Sequence, residues 1–70
     1  MTTGATIGER IRQARERAGL TQDQLTRTLG VSSSQVSKWE RNEQEPRASH
    51  IRALAQALAV SADYLLSLTE

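Results

Sequence analysis

Four residues in the middle of the chain carry polar side chains that suit molecular recognition; they are Ser33, Ser34, Ser37 and Lys38. Serine hydroxyls donate and accept hydrogen bonds, whereas an ammonium group donates up to three and carries a positive charge. Short hydroxyl side chains let a helix approach another surface closely, and a lysine one turn further on can reach the O6 or N7 atom of guanine. Presented together on one helix face, these side chains suit contact with base edges in a DNA major groove.

The residue types that catalysis and metal binding require are scarce in this sequence. The chain has no cysteine and a single histidine, His50, which excludes a disulfide framework and a Cys/His zinc site. It has no glycine-rich loop that could cradle a phosphate group and no cluster of carboxylates. We therefore expect no enzymatic activity, no cofactor and no small-molecule ligand.

Helical patterns must position the four recognition residues. A capping box pairs a Thr or Ser with a Glu or Gln three residues later, and this pattern occurs at Thr6–Glu9, Thr21–Gln24 and Ser32–Gln35. The apolar spacing after each box predicts helices near residues 7–18, 22–29 and 33–41. We expect left-handed residues to end these three helices, and the candidates are Gly19, Gly30 and Asn42.

Two further helices complete the predicted fold. Apolar residues at helical spacing predict a fourth helix near residues 48–58, and Ser61 can cap a short fifth helix after it. No segment shows the alternation that is typical of a strand. The sequence therefore predicts an all-α fold, a compact bundle of five short helices.

The second and third predicted helices are joined by a short turn that contains Gly30. Such a turn makes the second helix of the pair leave at a steep angle, which is the signature of a helix-turn-helix. We expect Leu25, Leu29, Val31, Val36 and Trp39 to anchor this pair in the core. The serines and Lys38 are then left on the outer side of the third helix.

Charge is distributed unevenly along the chain. Residues 10–41 carry seven basic and three acidic side chains, whereas residues 42–70 carry two basic and four acidic side chains. This asymmetry is expected when one face of a protein meets a polyanion. The apolar stretch at 53–60 is too short to span a bilayer, and Arg10 and Arg12 interrupt the region where a signal peptide would be apolar. We expect a cytoplasmic protein and no membrane partner.

A set of spaced motifs extends through nearly the whole chain. The motifs are Ile11-Arg-Gln-Ala-Arg15, Gly19-Leu-Thr-Gln22, Leu25, Leu29-Gly-Val-Ser32, Val36-Ser-Lys-Trp-Glu-Arg41, Pro46, Leu54-Ala55, Leu58 and Val60-Ser-x-Asp-Tyr-Leu-Leu66. With these motifs, residues 7–67 resemble the helix-turn-helix domain of the Cro/C1 repressor family, also called the XRE family. The resemblance implies a lambda repressor-like DNA-binding domain in a transcriptional regulator, a repressor that places its third helix in the major groove.

The resemblance also implies roles for single residues. Base reading falls to Ser33, Ser34, Ser37 and Lys38. Contacts with the phosphate backbone fall to Thr21, Gln22, Gln35, Arg41, Asn42 and Arg47. Arg15 and Glu40 resemble a partly buried ion pair that ties the first helix to the end of the third. The chain departs from the family pattern at Glu43-Gln44-Glu45, since an acidic loop there repels phosphates.

The predicted boundaries are an N-terminal arm at 1–6, the helix-turn-helix domain at 7–67 and a C-terminal tail at 68–70. The double-stranded DNA partner would be a palindromic operator bound by a homodimer. The dimer would form through the C-terminal helix, by way of Tyr64, Leu65 and Leu68; the alternative is that these side chains merely cover the core.

Two other interpretations of the whole chain stay open at this point. One is a protein-interaction module, such as an antitoxin-like partner whose helix-turn-helix is secondary to gripping another protein. The other is that the chain is the DNA-binding end of a longer repressor.

Overall fold

The computed structural model describes residues 6–66. In this part of the chain five helices follow one another without a strand: α1 (Ile7–Arg17), α2 (Gln22–Leu29), α3 (Ser33–Glu40), α4 (Ala48–Leu58) and α5 (Ala62–Leu66). This order confirms the predicted all-α bundle. None of the helices described is both long enough and apolar enough to cross a bilayer.

Local hydrogen bonds define the ends of the first two helices. Thr6 and Glu9 form the predicted capping box of α1, and Thr21 and Gln24 form that of α2. Each box satisfies two backbone N–H groups that have no partner within the helix. The three predicted left-handed residues lie where the sequence places them, with φ of 77° at Gly19, 72° at Gly30 and 61° at Asn42, whereas the left-handed Ala59, with φ of 57°, was not predicted.

The start of α3 differs from its prediction. Ser32 makes no side-chain capping bond, so the capping box predicted for Ser32 and Gln35 is wrong. The Ser32 hydroxyl lies 3.3 Å from that of Ser34. The side-chain amide of Gln35 instead donates to Gln44 Oε1 at 2.9 Å, since the loop after α3 offers it a partner.

The core is formed by one apolar side of each helix. Its fully buried side chains include Trp39, Ile11, Leu25, Leu54, Leu65 and Val36. Trp39 is the largest of them, and the ring of His50 packs against it with 5.0 Å between the ring centroids. Ala18 follows Ala14 at helical spacing, but it is exposed, and α1 ends one residue before it at Arg17.

The C-terminal helix corrects the predicted dimer interface. Leu65 has no exposed surface and packs in the core, so its assignment to an interface between subunits is wrong. In a helix of five residues only one side can meet the core, and the next residue, Leu66, then lies outward and is 42% exposed. Tyr64 is half-buried, with the Arg10 guanidinium 4.9 Å from its ring centroid. Leu68 lies outside the described residues.

The N-terminal end of α1 abuts the C-terminal end of α3. Gly8 N donates to Asn42 Oδ1 at 3.2 Å, and Asn42 Nδ2 donates to Thr6 Oγ1 at 2.9 Å. A Cβ atom on Gly8 would lie 2.4 Å from the Trp39 carbonyl oxygen and 2.7 Å from that of Glu40. Since backbone atoms cannot move aside as a flexible side chain can, only glycine permits this approach of the two helices.

We expect Gly8→Ala to lower the free energy of unfolding by about 3 kcal/mol, because the added methyl group overpacks the contact with α3. Urea denaturation followed by circular dichroism measures the change. Gly19→Asn is the matched control, since its Cβ meets no atom within 4 Å and asparagine tolerates a positive φ. The control should lose less than about 1 kcal/mol. Equal losses in the two variants would contradict the steric account.

Candidate nucleic-acid interface

Helix α3 has a buried face and an outward face with different chemistry. Val36 and Trp39 have no exposed surface. Among the residues assigned to base reading, Ser33, Ser34 and Lys38 are exposed and Ser37 is half-buried. The helix thus presents hydroxyl groups and one cation to solvent, while its apolar side chains hold it on the core.

The turn before α3 sets the angle between the helix pair. Gly30 N and Val31 N both donate to the Thr26 carbonyl, at 2.8 and 3.2 Å, which closes the C-terminal end of α2. Thr26 is itself buried, and its hydroxyl donates to the Asp23 carbonyl at 2.6 Å. The left-handed Gly30 lets the chain reverse within the few residues that separate α2 from α3. The pair is therefore a helix-turn-helix, as predicted.

The ion pair expected between Arg15 and Glu40 is present and joins α1 to α3. Arg15 Nε donates to Glu40 Oε2 at 2.7 Å and Nη2 donates to Oε1 at 3.1 Å, so the guanidinium holds the carboxylate with two bonds. The Arg15 and Glu40 side chains are only 11% and 3% exposed. The bond to Glu40 raises the pKa of Arg15 above its ordinary value against the opposing effect of burial. Arg15 Nη1 also donates to the Leu20 carbonyl at 2.8 Å.

A third residue completes this network at the N-terminal end of α2. Gln22 is the first residue of α2, and its Nε2 donates to Glu40 Oε1 at 2.9 Å. The carboxylate of Glu40 therefore connects α1, α2 and α3. The family resemblance implies a phosphate contact for Gln22, but no sequence pattern predicts its bond to Glu40, because the two residues are 18 positions apart.

The other residues assigned to phosphate contacts lie on surface loops and helix ends. Thr21 caps α2, and Arg47 stands exposed at the N-terminal end of α4. Arg41 forms an exposed ion pair with Glu43 through two contacts of 3.1 Å. An exposed pair of this kind contributes at most about 1 kcal/mol and can open in favour of another anion. The roles of these residues stay predictions.

Asn42 has a structural role that no sequence pattern predicts. Its side chain bonds to Gly8 N and to Thr6 Oγ1, both at the N-terminal end of α1. These bonds hold the left-handed turn after α3 against α1. The sequence predicts that Asn42 ends a helix with a positive φ. It does not predict the hydrogen-bond partners, because Gly8 and Thr6 are 34 and 36 positions away in the chain.

Comparison with known proteins identifies relatives of this arrangement. A family model described as helix-turn-helix matches residues 11–65. The chain is 45% identical over 60 residues to the repressor protein C2 of Salmonella phage P22. The aligned segment covers 86% of this chain and 28% of that repressor. It is 40% identical over 65 residues to the transcriptional regulator DicA of Escherichia coli K12, covering 93% of this chain and 48% of DicA. The chain thus spans less than half the length of these two relatives.

The fold is also similar to a solved structure of a protein bound to DNA. A crystal structure of the P22 c2 repressor with a synthetic operator superposes with a TM-score of 0.84 at 44% identity, covering 89% of this chain and 94% of that one. Because the TM-score is 0.84 over most of both chains, the likeness extends to the arrangement of the helices and not only to their number.

Arg15→Met should lower the free energy of unfolding by about 3–5 kcal/mol, because it leaves the Glu40 carboxylate buried without a cation. Adding Glu40→Leu to that variant should restore part of the loss, since the double variant buries no unpaired charge. Chemical denaturation of the two variants and the wild type tests this order. A double variant less stable than Arg15→Met would contradict the assignment of the loss to an uncompensated charge.

Proposed function

Because the chain belongs to the Cro/C1-type helix-turn-helix family, we propose that it is a transcriptional regulator that binds double-stranded DNA and represses by occupying an operator. The observation that carries the proposal is the division of α3 into a buried apolar face and an outward polar face, in a fold that superposes on an operator-bound repressor domain. It acts by binding, with no catalytic step.

Base reading and backbone contact are separate tasks in this proposal. Lys38 donates to a guanine edge, and the serines at 33, 34 and 37 make close polar contacts in the same groove. Gln22, Arg47 and the N-terminal amides of α2 contact phosphates, which fixes the register of the protein on the duplex without sequence information. Positive charge on Lys38, Arg41 and Arg47 supplies the salt-dependent part of the affinity.

The acidic loop after α3 limits how strongly this face attracts phosphates. Glu43 forms an ion pair with Arg41, and the side-chain oxygen of Gln44 accepts a hydrogen bond from the amide of Gln35. DNA must replace these contacts before Arg41 and Gln35 can bind the backbone. Because Glu43 and Gln44 are both exposed, replacing their contacts with contacts to DNA costs little free energy.

We infer that the operator-bound form is a symmetric homodimer, and the exposure of Leu66 supports an interface on the outward side of α5. Leu66, the large apolar side chain exposed on the described surface, borders a shallow apolar groove between α4 and α5. Ile51, Ala55 and Ala62 line the same groove. Self-association would bury this patch and place the two α3 helices in successive major grooves, about 34–36 Å apart.

Lys38→Ala and Arg47→Ala should affect DNA binding differently. Loss of a base contact by Lys38→Ala should change the preference at one base-pair position by about 1–3 kcal/mol. Loss of a backbone contact by Arg47→Ala should weaken all duplexes alike and reduce the slope of log affinity against log salt by about 1. Selection from a random duplex library, followed by titration at two salt concentrations, measures both effects. Equal binding to every sequence by the wild type would refute sequence-specific regulation.

Leu66→Asp should weaken self-association and abolish cooperative binding to an inverted repeat, because it places a carboxylate in the apolar patch. Sedimentation velocity and titration of a full repeat against a half-site measure the two properties. Gln13→Asp introduces the same charge on an exposed position of α1 and is the matched control. Unchanged association in both variants would place the subunit interface elsewhere.

A further inference from the structure

The amide of Gln22 is held by a buried carboxylate at the position where the protein is proposed to meet the DNA backbone. We propose that Glu40 is a positioning residue for DNA binding: it orients the Gln22 side chain so that its NH2 group bridges Glu40 and a phosphate. This inference rests on the proposed function, since it specifies how the contact at the start of α2 is prepared.

The orientation of the amide follows from the chemistry of its partner. The Glu40 side chain is 3% exposed, and its two oxygens accept hydrogen bonds from the Arg15 guanidinium. An ionised carboxylate only accepts hydrogen bonds. Gln22 must therefore present Nε2, and not Oε1, to Glu40, as the 2.9 Å contact shows.

With its nitrogen toward Glu40, the Gln22 amide can also donate a hydrogen bond to a phosphate. Phosphate oxygens accept hydrogen bonds, so Gln22 can bind one only through an N–H group. An amide nitrogen carries two hydrogens, and Glu40 uses one of them. The second is then the donor for a phosphate, beside the backbone N–H groups at the N-terminal end of α2. Without Glu40 the amide could rotate and turn its oxygen toward the phosphate.

Arg15 is necessary to this arrangement because it compensates the charge of Glu40. A lone carboxylate beside the DNA backbone would repel the phosphate that Gln22 is to bind. With the guanidinium on both carboxylate oxygens, the pair is close to neutral and Glu40 orients Gln22 without opposing the DNA. Gln22 is half-buried, so its side chain has few other positions to occupy.

A double-mutant cycle on DNA affinity tests the inference. Glu40→Gln keeps the shape of residue 40 but can both donate and accept, so it no longer favours one orientation of Gln22. Gln22→Ala should weaken binding about tenfold in the wild-type background and less than about threefold in the Glu40→Gln background. The same factor in both backgrounds would overturn the proposal.

Arg47→Ala is the matched control for this cycle. Arg47 is also assigned to a phosphate, but it lies at the N-terminal end of α4 and makes no hydrogen bond to Glu40. Arg47→Ala should therefore reduce the DNA affinity by the same factor in the wild-type and Glu40→Gln backgrounds. A wild-type chain that binds no DNA overturns the proposed function. A wild-type chain that binds DNA and is indifferent to Gln22→Ala overturns this inference alone.

A measurement on the wild-type chain keeps the proposal testable if Glu40→Gln fails to fold. NMR spectra of the side-chain amides should show one Gln22 hydrogen exchanging slowly with water, compared with the amide of Gln13, which is exposed on α1. Adding a duplex enriched by selection from the random library should then shift the resonance of the other Gln22 amide hydrogen. Exchange at Gln22 as fast as at Gln13, or a shift of neither hydrogen, would overturn the bridging arrangement.

Discussion

The direction in which α3 points depends on the contact between its C-terminal end and α1. Two features make that contact close: the absence of a side chain at Gly8, and the two-bond pairing of Arg15 with Glu40. The first sets the distance between the helices and the second limits their rotation. The left-handed turn at Gly30 then fixes the other end of α3 relative to α2. With both ends held, the outward face of α3 has one orientation.

Much of this fold could be predicted because its signals are local. Thr21 and Gln24 lie three residues apart, and Gly30 follows directly on the helix that it ends. Such contacts form within a single turn of chain and leave a pattern in neighbouring letters. The two faces of α3 were predictable for the same reason, since Val36 and Trp39 are three residues apart and helical spacing places them on one side.

The contacts that position the site were largely outside the reach of a sequence pattern. Gly8 and Asn42 are 34 residues apart, and glycine within a helix predicts instability unless the close neighbour is known. The bond from Gln22 to Glu40 likewise depends on how three helices converge. Leu65 was assigned to the wrong surface because α5 has five residues, too few for a period to show which leucine faces inward.

The division of α3 into two faces bears on how such regulators diverge. Ser33, Ser34 and Lys38 are exposed and fill no space in the core, so exchanging them alters no packing. Surface changes of this kind usually leave stability within about 0.5 kcal/mol. Under the proposed function, a descendant gene can therefore acquire a new target sequence by a few substitutions on this surface, while Val36 and Trp39 keep α3 on the core.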